Sequence, residues 1–139
     1  MHDISVTRTF AAAHALRLYD GSVEPMHRHH WTVEVTVGAR KLDRIGVVMD
    51  FHRLEGLVDA VLAPLAGRTL NDVPPFRLAA ARRAKTRAAH EGMNPGVNPT
   101  AECVAWWLGR QVARGLPRGV KLVSVRVGEA PGCFATYRP

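Results

Sequence analysis

Long hydrophobic runs are missing from this 139-residue sequence. No uninterrupted apolar stretch approaches the roughly 20 residues that a helix needs to cross a bilayer. The opening "MHDISVTRTF" also lacks the basic-then-apolar layout of a secretion signal, so a soluble cytoplasmic protein is expected. Cysteine is scarce. Cys103 and Cys133 are the two in the chain, and they match no Cys-x-x-Cys zinc or redox spacing, which points to reduced thiols in a core or near a strand end. Acidic residues are outnumbered, 12 against 19 Lys and Arg, for a net charge of +7. That balance favours acidic partners, a class that includes nucleic acid, anionic membranes and phosphorylated metabolites, without choosing among them.

What is present reads as one folded domain spanning residues 1–139. Apolar residues make up 47% of the chain and charged residues 22%, the balance of a chain with a core rather than a disordered one. The length suits a single domain.

Residues 3–14 alternate as a strand, with Ile4, Val6, Phe10, Ala12 and His14 on one face. Residues 29–38 alternate more cleanly, with His29, Trp31, Val33, Val35 and Val37 on one face and His30, Thr32, Glu34 and Thr36 on the other. The period then becomes helical: Phe51, Leu54, Val58, Val61, Leu62 and Leu65 form a stripe behind Asp50, a suitable N-cap. A second helix is expected over "NPTAECVAWWLGRQVA", capped by Asn98, with Pro99 at its first position and a stripe of Val104, Trp107, Leu108 and Val112. A last strand carries Val120, Leu122, Val123, Val125 and Val127, and the change of parity at Leu122 and Val123 marks a bulge. This order predicts an α+β fold with helices packed on one side of an antiparallel sheet.

Between the helices lies a basic insert at about 75–97. Arg77, Arg82, Arg83, Lys85 and Arg87 meet no acid before Glu91. The insert lacks interleaved aromatics and belongs to no recognised nucleic-acid-binding motif, so a nucleic-acid partner is not expected.

The chemistry concentrates in "EPMHRHHW", which holds three of the seven histidines. Side chains two apart on a strand point the same way, so His27 and His29 can stand side by side if the strand begins by residue 27. His14 ends the preceding strand on its apolar face, and an antiparallel return would bring it opposite them. Three imidazoles with an open fourth position form the ligand set of a catalytic zinc site. Three separately satisfied core or edge histidines are the alternative that spacing leaves open. His30 points to the other face.

"FAAAHAL", "HRH" at a strand start, "GVVMDFHRL", "LN", "NPTAECVAWWL" and a terminal strand ending in Glu129 together resemble, in this order, the 6-pyruvoyl- and 6-carboxy-tetrahydropterin synthase family. The resemblance implies a tunnelling fold, in which subunits join antiparallel sheets into a barrel with the helices outside, typically as a hexamer. It implies zinc held by His14, His27 and His29, and a pterin anchored by Glu129, whose carboxylate can accept paired hydrogen bonds from the ring's guanidine-like edge.

Departures from the family pattern bear on the reaction. The usual catalytic Cys is replaced by Val23, while "EPMHRH" matches a branch reading E-x-x-H-G-H, which makes Glu24 the candidate general base. Arg28 replaces the glycine between the two ligands and should point away from the metal. The family's Asp-His pair, in L-D-H-x-x-L-N, is replaced in "LAGRTLN" by Ala66 and Gly67, which cannot move protons. These features imply a divergent zinc-dependent lyase-type enzyme acting on 7,8-dihydroneopterin triphosphate or a related small molecule, with side-chain cleavage towards 6-hydroxymethyl-dihydropterin as one outcome. The alternative is a non-catalytic zinc- and pterin-binding homologue.

Overall fold

Alternating polarity becomes a four-stranded antiparallel sheet in the computed structural model, which describes residues 1–74, 76–77 and 98–139. The elements are β1 (His2–His14), β2 (His27–Ala39), α1 (Phe51–Leu62), a 3-10 turn (Leu70–Asp72), α2 (Ala101–Gly115), β3 (Val120–Ala130) and β4 (Cys133–Tyr137). The sheet order is β1-β2-β3-β4. One apolar cluster joins Val6, Phe10, Val33, Val35, Val125 and Val127 of the sheet to Leu54, Val58, Val104 and Leu108 of the helices. Each fully buried side chain of this kind contributes about 1.5–3 kcal/mol relative to exposure. The α+β arrangement read from the sequence is the one observed.

The β1–β2 register sets Phe10 opposite Trp31, Ala12 opposite His29 and His14 opposite His27. Trp31 is fully buried, its indole N–H donates to the Ala12 carbonyl at 3.2 Å, and its ring stacks on Phe10. It closes the apolar face just below the histidines.

Asp50 caps α1 as expected, accepting from the His52 backbone N–H at 2.6 Å. Leu54, Val58 and Leu62 are buried. Two members of the expected stripe differ: Phe51 is 53% exposed, and Leu65, though buried, lies past the helix end. The chain turns back there. Gly67 has φ +73°, a left-handed value that only glycine reaches without steric cost. Its N–H donates to the Ala11 carbonyl at 2.7 Å, and the Arg68 carbonyl accepts from Ala13 N–H at 3.0 Å. The return is thereby tied to the outer edge of β1.

The second helix starts later than the sequence suggested. Thr100, not Asn98, is the N-cap, accepting from Cys103 N–H at 3.2 Å, because Asn98 and Pro99 are committed to the segment around His14. Within α2, Gly109 lets the helix approach β4: a Cβ there would meet the Tyr137 ring at 2.5 Å.

The expected bulge is present. Thr36 faces Ser124 while Val37 faces Leu122, leaving Val123 as the extra residue. β4 was not anticipated; it follows a tight turn at Gly132, with φ +79°, and its five residues are too few to show a period. Cys103 is half-buried and Cys133 exposed, both as free thiols, and burial pushes the Cys103 thiol pKa up. Apart from Phe76 and Arg77, whose guanidinium donates to the Asp72 carbonyl at 2.9 Å, nearly all of the basic insert falls outside the described residues. Among the described residues no helix is long and apolar enough to cross a membrane.

Candidate metal and substrate site

β-Sheet register brings the three histidines of the sequence reading into one cluster. Their ring centroids lie 4.6 Å apart for His14–His27, 5.1 Å for His14–His29 and 4.6 Å for His27–His29. Two backbone carbonyls orient the set. His14 Nδ1 lies 2.8 Å from the Pro99 carbonyl and His27 Nδ1 lies 3.0 Å from that of Pro25. A carbonyl can only accept, so each Nδ1 carries the proton and each Nε2 is left with a lone pair.

Glu129, near the end of β3, completes the cluster. Its Oε1 stands 3.3 Å from His14 Nε2 and 3.2 Å from His29 Nε2. Although these are ion-pair distances, both nitrogens are buried with no properly directed hydrogen-bond partner among the described residues. The His14 Nε2 lone pair facing a carboxylate oxygen is repelled by it unless a cation lies between them. One ligand atom from each of His14, His27, His29 and Glu129 lies within 4.8 Å of all the others, and the three imidazoles suit a divalent transition metal, with the Glu129 carboxylate bordering the position. The residues therefore fit the zinc implied by the resemblance. Burial is the main cause of a lowered His29 pKa; Glu129 opposes that shift and the neighbouring His14 and His27 add to it.

Glu24 stands at the rim on a small hairpin between β1 and β2. The Leu18 N–H donates to the Ser22 carbonyl and the Glu24 N–H to the Leu16 carbonyl, at 2.8 and 3.0 Å. Glu24 Oε1 accepts from Leu16 N–H at 3.0 Å and lies 3.8 Å from His27 Nε2. The carboxylate is latched beside the imidazoles. Arg28 and His30 are exposed and alternate with the clustered histidines. Val23, where the family's cysteine would stand, is 59% exposed.

Sequence reasoning missed the Asn71 and Asn98 side chains and the Pro99 carbonyl, which brace the segment after His14. Their trace was the "LN" and "NP" pairs, which entered the sequence reading as family motifs and a helix cap and carry no ligand or nucleophile that would mark them as part of the site.

A four-stranded sheet carrying three histidines at a strand pair's end and a glutamate on the next strand defines a class, and comparison with known proteins gives it a family. The sequence profile described as 6-pyruvoyl tetrahydropterin synthase matches residues 3–139. The chain belongs to that family and is an enzyme of its pterin-related type. It is 30% identical over 121 residues to the dihydroneopterin monophosphate aldolase of Pyrococcus furiosus, covering 87% of this chain and 83% of that protein. Among solved structures, the Caenorhabditis elegans 6-pyruvoyl tetrahydropterin synthase superposes with a TM-score of 0.75 at 20% identity, covering 99% of this chain and 95% of that one. A catalytic-residue mutant, Glu to Ala, of the Plasmodium vivax 6-pyruvoyltetrahydropterin synthase gives 0.73 at 17% identity, with coverages of 99% and 97%.

Proposed function

We propose that this protein is a zinc-dependent aldolase-type lyase that cleaves the side chain of a phosphorylated 7,8-dihydroneopterin, with Glu24 as the base and Glu129 as the pterin anchor. The observation that carries this reading is one carboxylate, Glu24, latched beside the histidine cluster in a chain whose second proton-transfer pair is replaced by Ala66 and Gly67. A rearrangement towards 6-pyruvoyl- or 6-carboxy-tetrahydropterin needs protons moved at several places. A retro-aldol cleavage needs one group that takes a proton and gives it back.

The steps balance with that single group. Glu24 removes the proton from the C2′ hydroxyl. The C1′–C2′ bond breaks as the C2′ carbonyl forms, and its electron pair moves into the conjugated C6=N5 unit of the ring. Glu24 then returns the proton to C1′. The products are 6-hydroxymethyl-dihydropterin and an aldehyde carrying the phosphate. Zinc held by His14, His27 and His29 would supply Lewis-acid polarisation of the side-chain hydroxyl oxygens. Glu129 accepts hydrogen bonds from the ring's guanidine-like edge and sets its depth. The name of the Pyrococcus furiosus relative supports an aldolase reaction on a dihydroneopterin phosphate, and the Plasmodium vivax synthase shows that a glutamate can serve catalysis on this fold.

Assembly into a homo-oligomer, a hexamer by the resemblance, belongs to the same reading. It is supported by sheet edges at β1 and β4 that no other strand covers among the described residues.

The test is to incubate zinc-loaded protein with dihydroneopterin monophosphate and triphosphate and resolve the pterins by chromatography. 6-Hydroxymethyl-dihydropterin is expected, and Glu24→Gln should abolish it. Formation of a 6-pyruvoyl or 6-carboxy product would overturn the proposal. Tight pterin binding without any product would leave the chain as a zinc- and pterin-binding homologue.

A further inference from the structure

Past His14 the chain leaves the sheet, and its next three residues are held largely by side chains. The Ala15 N–H donates to Asn71 Oδ1 at 3.0 Å, and the Ala15 carbonyl accepts from Asn71 Nδ2 at 2.8 Å. Two residues on, the Arg17 N–H donates to Asn98 Oδ1 at 2.7 Å, and its carbonyl accepts from Asn98 Nδ2 at 2.9 Å. Leu16, between them, gives its N–H to Glu24 Oε1 and its carbonyl to Glu24 N–H.

In an extended chain the N–H and C=O of one residue point to one edge and those of the next residue to the other. Asn71 and Asn98 therefore brace one edge of residues 15–17, and Glu24 the opposite edge. A primary amide carries a donor and an acceptor side by side. Each asparagine thus takes the place of a facing strand residue. Asn98 also immediately precedes Pro99, whose carbonyl receives the His14 Nδ1 proton. One short stretch consequently grips both the strand exit and the imidazole.

We propose that Asn71 and Asn98 are positioning residues of this site. Asn98, through the adjoining Pro99 carbonyl, aims His14 Nε2 at the metal position, and the two asparagines together fix the Leu16 amide against which the Glu24 carboxylate is aligned. The inference rests on reading the histidines as zinc ligands and Glu24 as the base. Neither asparagine touches a reacting atom. Outer partners of metal-bound imidazoles commonly change metal affinity by about 10- to 100-fold when removed.

The experiment uses the full chain as Asn98→Ala, Asn98→Asp and Asn71→Ala. Zinc affinity is measured by chelator competition, ligand geometry by the visible absorption of the cobalt(II) form, and folding by thermal melting of the zinc-free protein. Asn98→Ala should lose about 10- to 100-fold in zinc affinity and shift the cobalt bands. Asn98→Asp keeps the shape and the acceptor but not the donor, and should fall in between; it carries the comparison if the alanine variant does not fold. Asn71→Ala should retain more zinc affinity and lose kcat with little change in KM. Wild-type zinc affinity and cobalt spectrum in a folded Asn98 variant would overturn the inference, as would losses that follow the melting temperature alone. The metal readouts need no pterin. A wild-type chain that binds zinc but leaves dihydroneopterin phosphates intact would therefore overturn the proposed reaction, and the alignment of Glu24 with it, without touching the positioning of His14 by Asn98.

Discussion

Glu129 and Glu24 are two carboxylates at one site with nearly equal side-chain exposure, 28% and 27%, yet they are held in opposite ways. Glu129 sits in β3 next to Gly128, which faces Thr32 on one side and Phe134 on the other. Glu129 is itself the unpaired residue of a bulge between Gly128 and Ala130, so the ladder holds it through its two neighbours. Glu24 sits on a hairpin outside the sheet and keeps its place through the Leu16 amide, itself braced by Asn71 and Asn98. Burial does not distinguish the two; scaffolding does. A ladder shares its load over many backbone bonds, whereas the hairpin depends on a few backbone bonds of its own and on the side-chain bonds of Glu24, Asn71 and Asn98, worth about 0.5–1.5 kcal/mol each.

Breaking the ladder-held half should have the largest effect. His14 is fully buried, so His14→Ala removes a ligand and strands the Pro99 carbonyl. Elemental analysis should find almost no zinc, and denaturant unfolding a loss of about 2–4 kcal/mol. Full zinc in that variant would remove the metal centre from His14.

The hairpin-held half should separate binding from chemistry. Glu24→Gln is expected to retain zinc and pterin while kcat for side-chain cleavage falls by about 10²- to 10⁴-fold. Equal activity in steady-state assays would assign the base elsewhere.

Glu129→Gln sharpens the comparison further. It preserves shape but turns one acceptor into a donor facing the ring's own donors, so calorimetry should show pterin affinity reduced by about 1–3 kcal/mol. Zinc content should stay near wild type. Loss of zinc instead would show that the oxygen beside His14 and His29 serves the metal rather than the ring.

The smallest effect concerns acid. His29 has its pKa lowered in the fold, chiefly by burial, from an ordinary value of 6.5. Between the folded and unfolded values the unfolded chain binds more protons, so stability rises with pH through that window and is lost as pH falls below about 6.5. Melting temperatures of zinc-free protein should decline on acidification below that point. His29→Gln should flatten the decline.

Strand periodicity made the histidine cluster legible as one of two readings, and the family resemblance chose between them. His14 lies on the face of Val6 and Phe10, His29 on that of Trp31 and Val33, and the antiparallel register sets His14 opposite His27. Asp50 as a cap and Val123 as a bulge were legible because local chemistry decided them. Asn98 was not. As an isolated residue before Pro99 it satisfies every rule for a helix cap, and only the distant Arg17 backbone draws its amide away. Phe51 failed in the same manner: its spacing fits the stripe, but α1 meets the sheet from Leu54 onward. β4 escaped because five residues after a glycine turn carry too little pattern, and its place depends on β3 already being there. Asn98 and Phe51 share one property, dependence on contacts remote in sequence.

The bonds from Gly67 and Arg68 to β1 also bear on what can be added to the molecule. Backbone groups facing away from β2 belong to alternate residues, and at Ala11 and Ala13 they are already engaged by the return from α1. Among the described residues, Asp3, Ser5, Thr7 and Thr9 remain to offer a complete pair of N–H and C=O groups along that side. A strand arriving there meets a physical stop near Ala11, short of the histidines. The return thus acts as a ruler: it limits how far an incoming edge can slide, and keeps main-chain pairing from running over the mouth of the site.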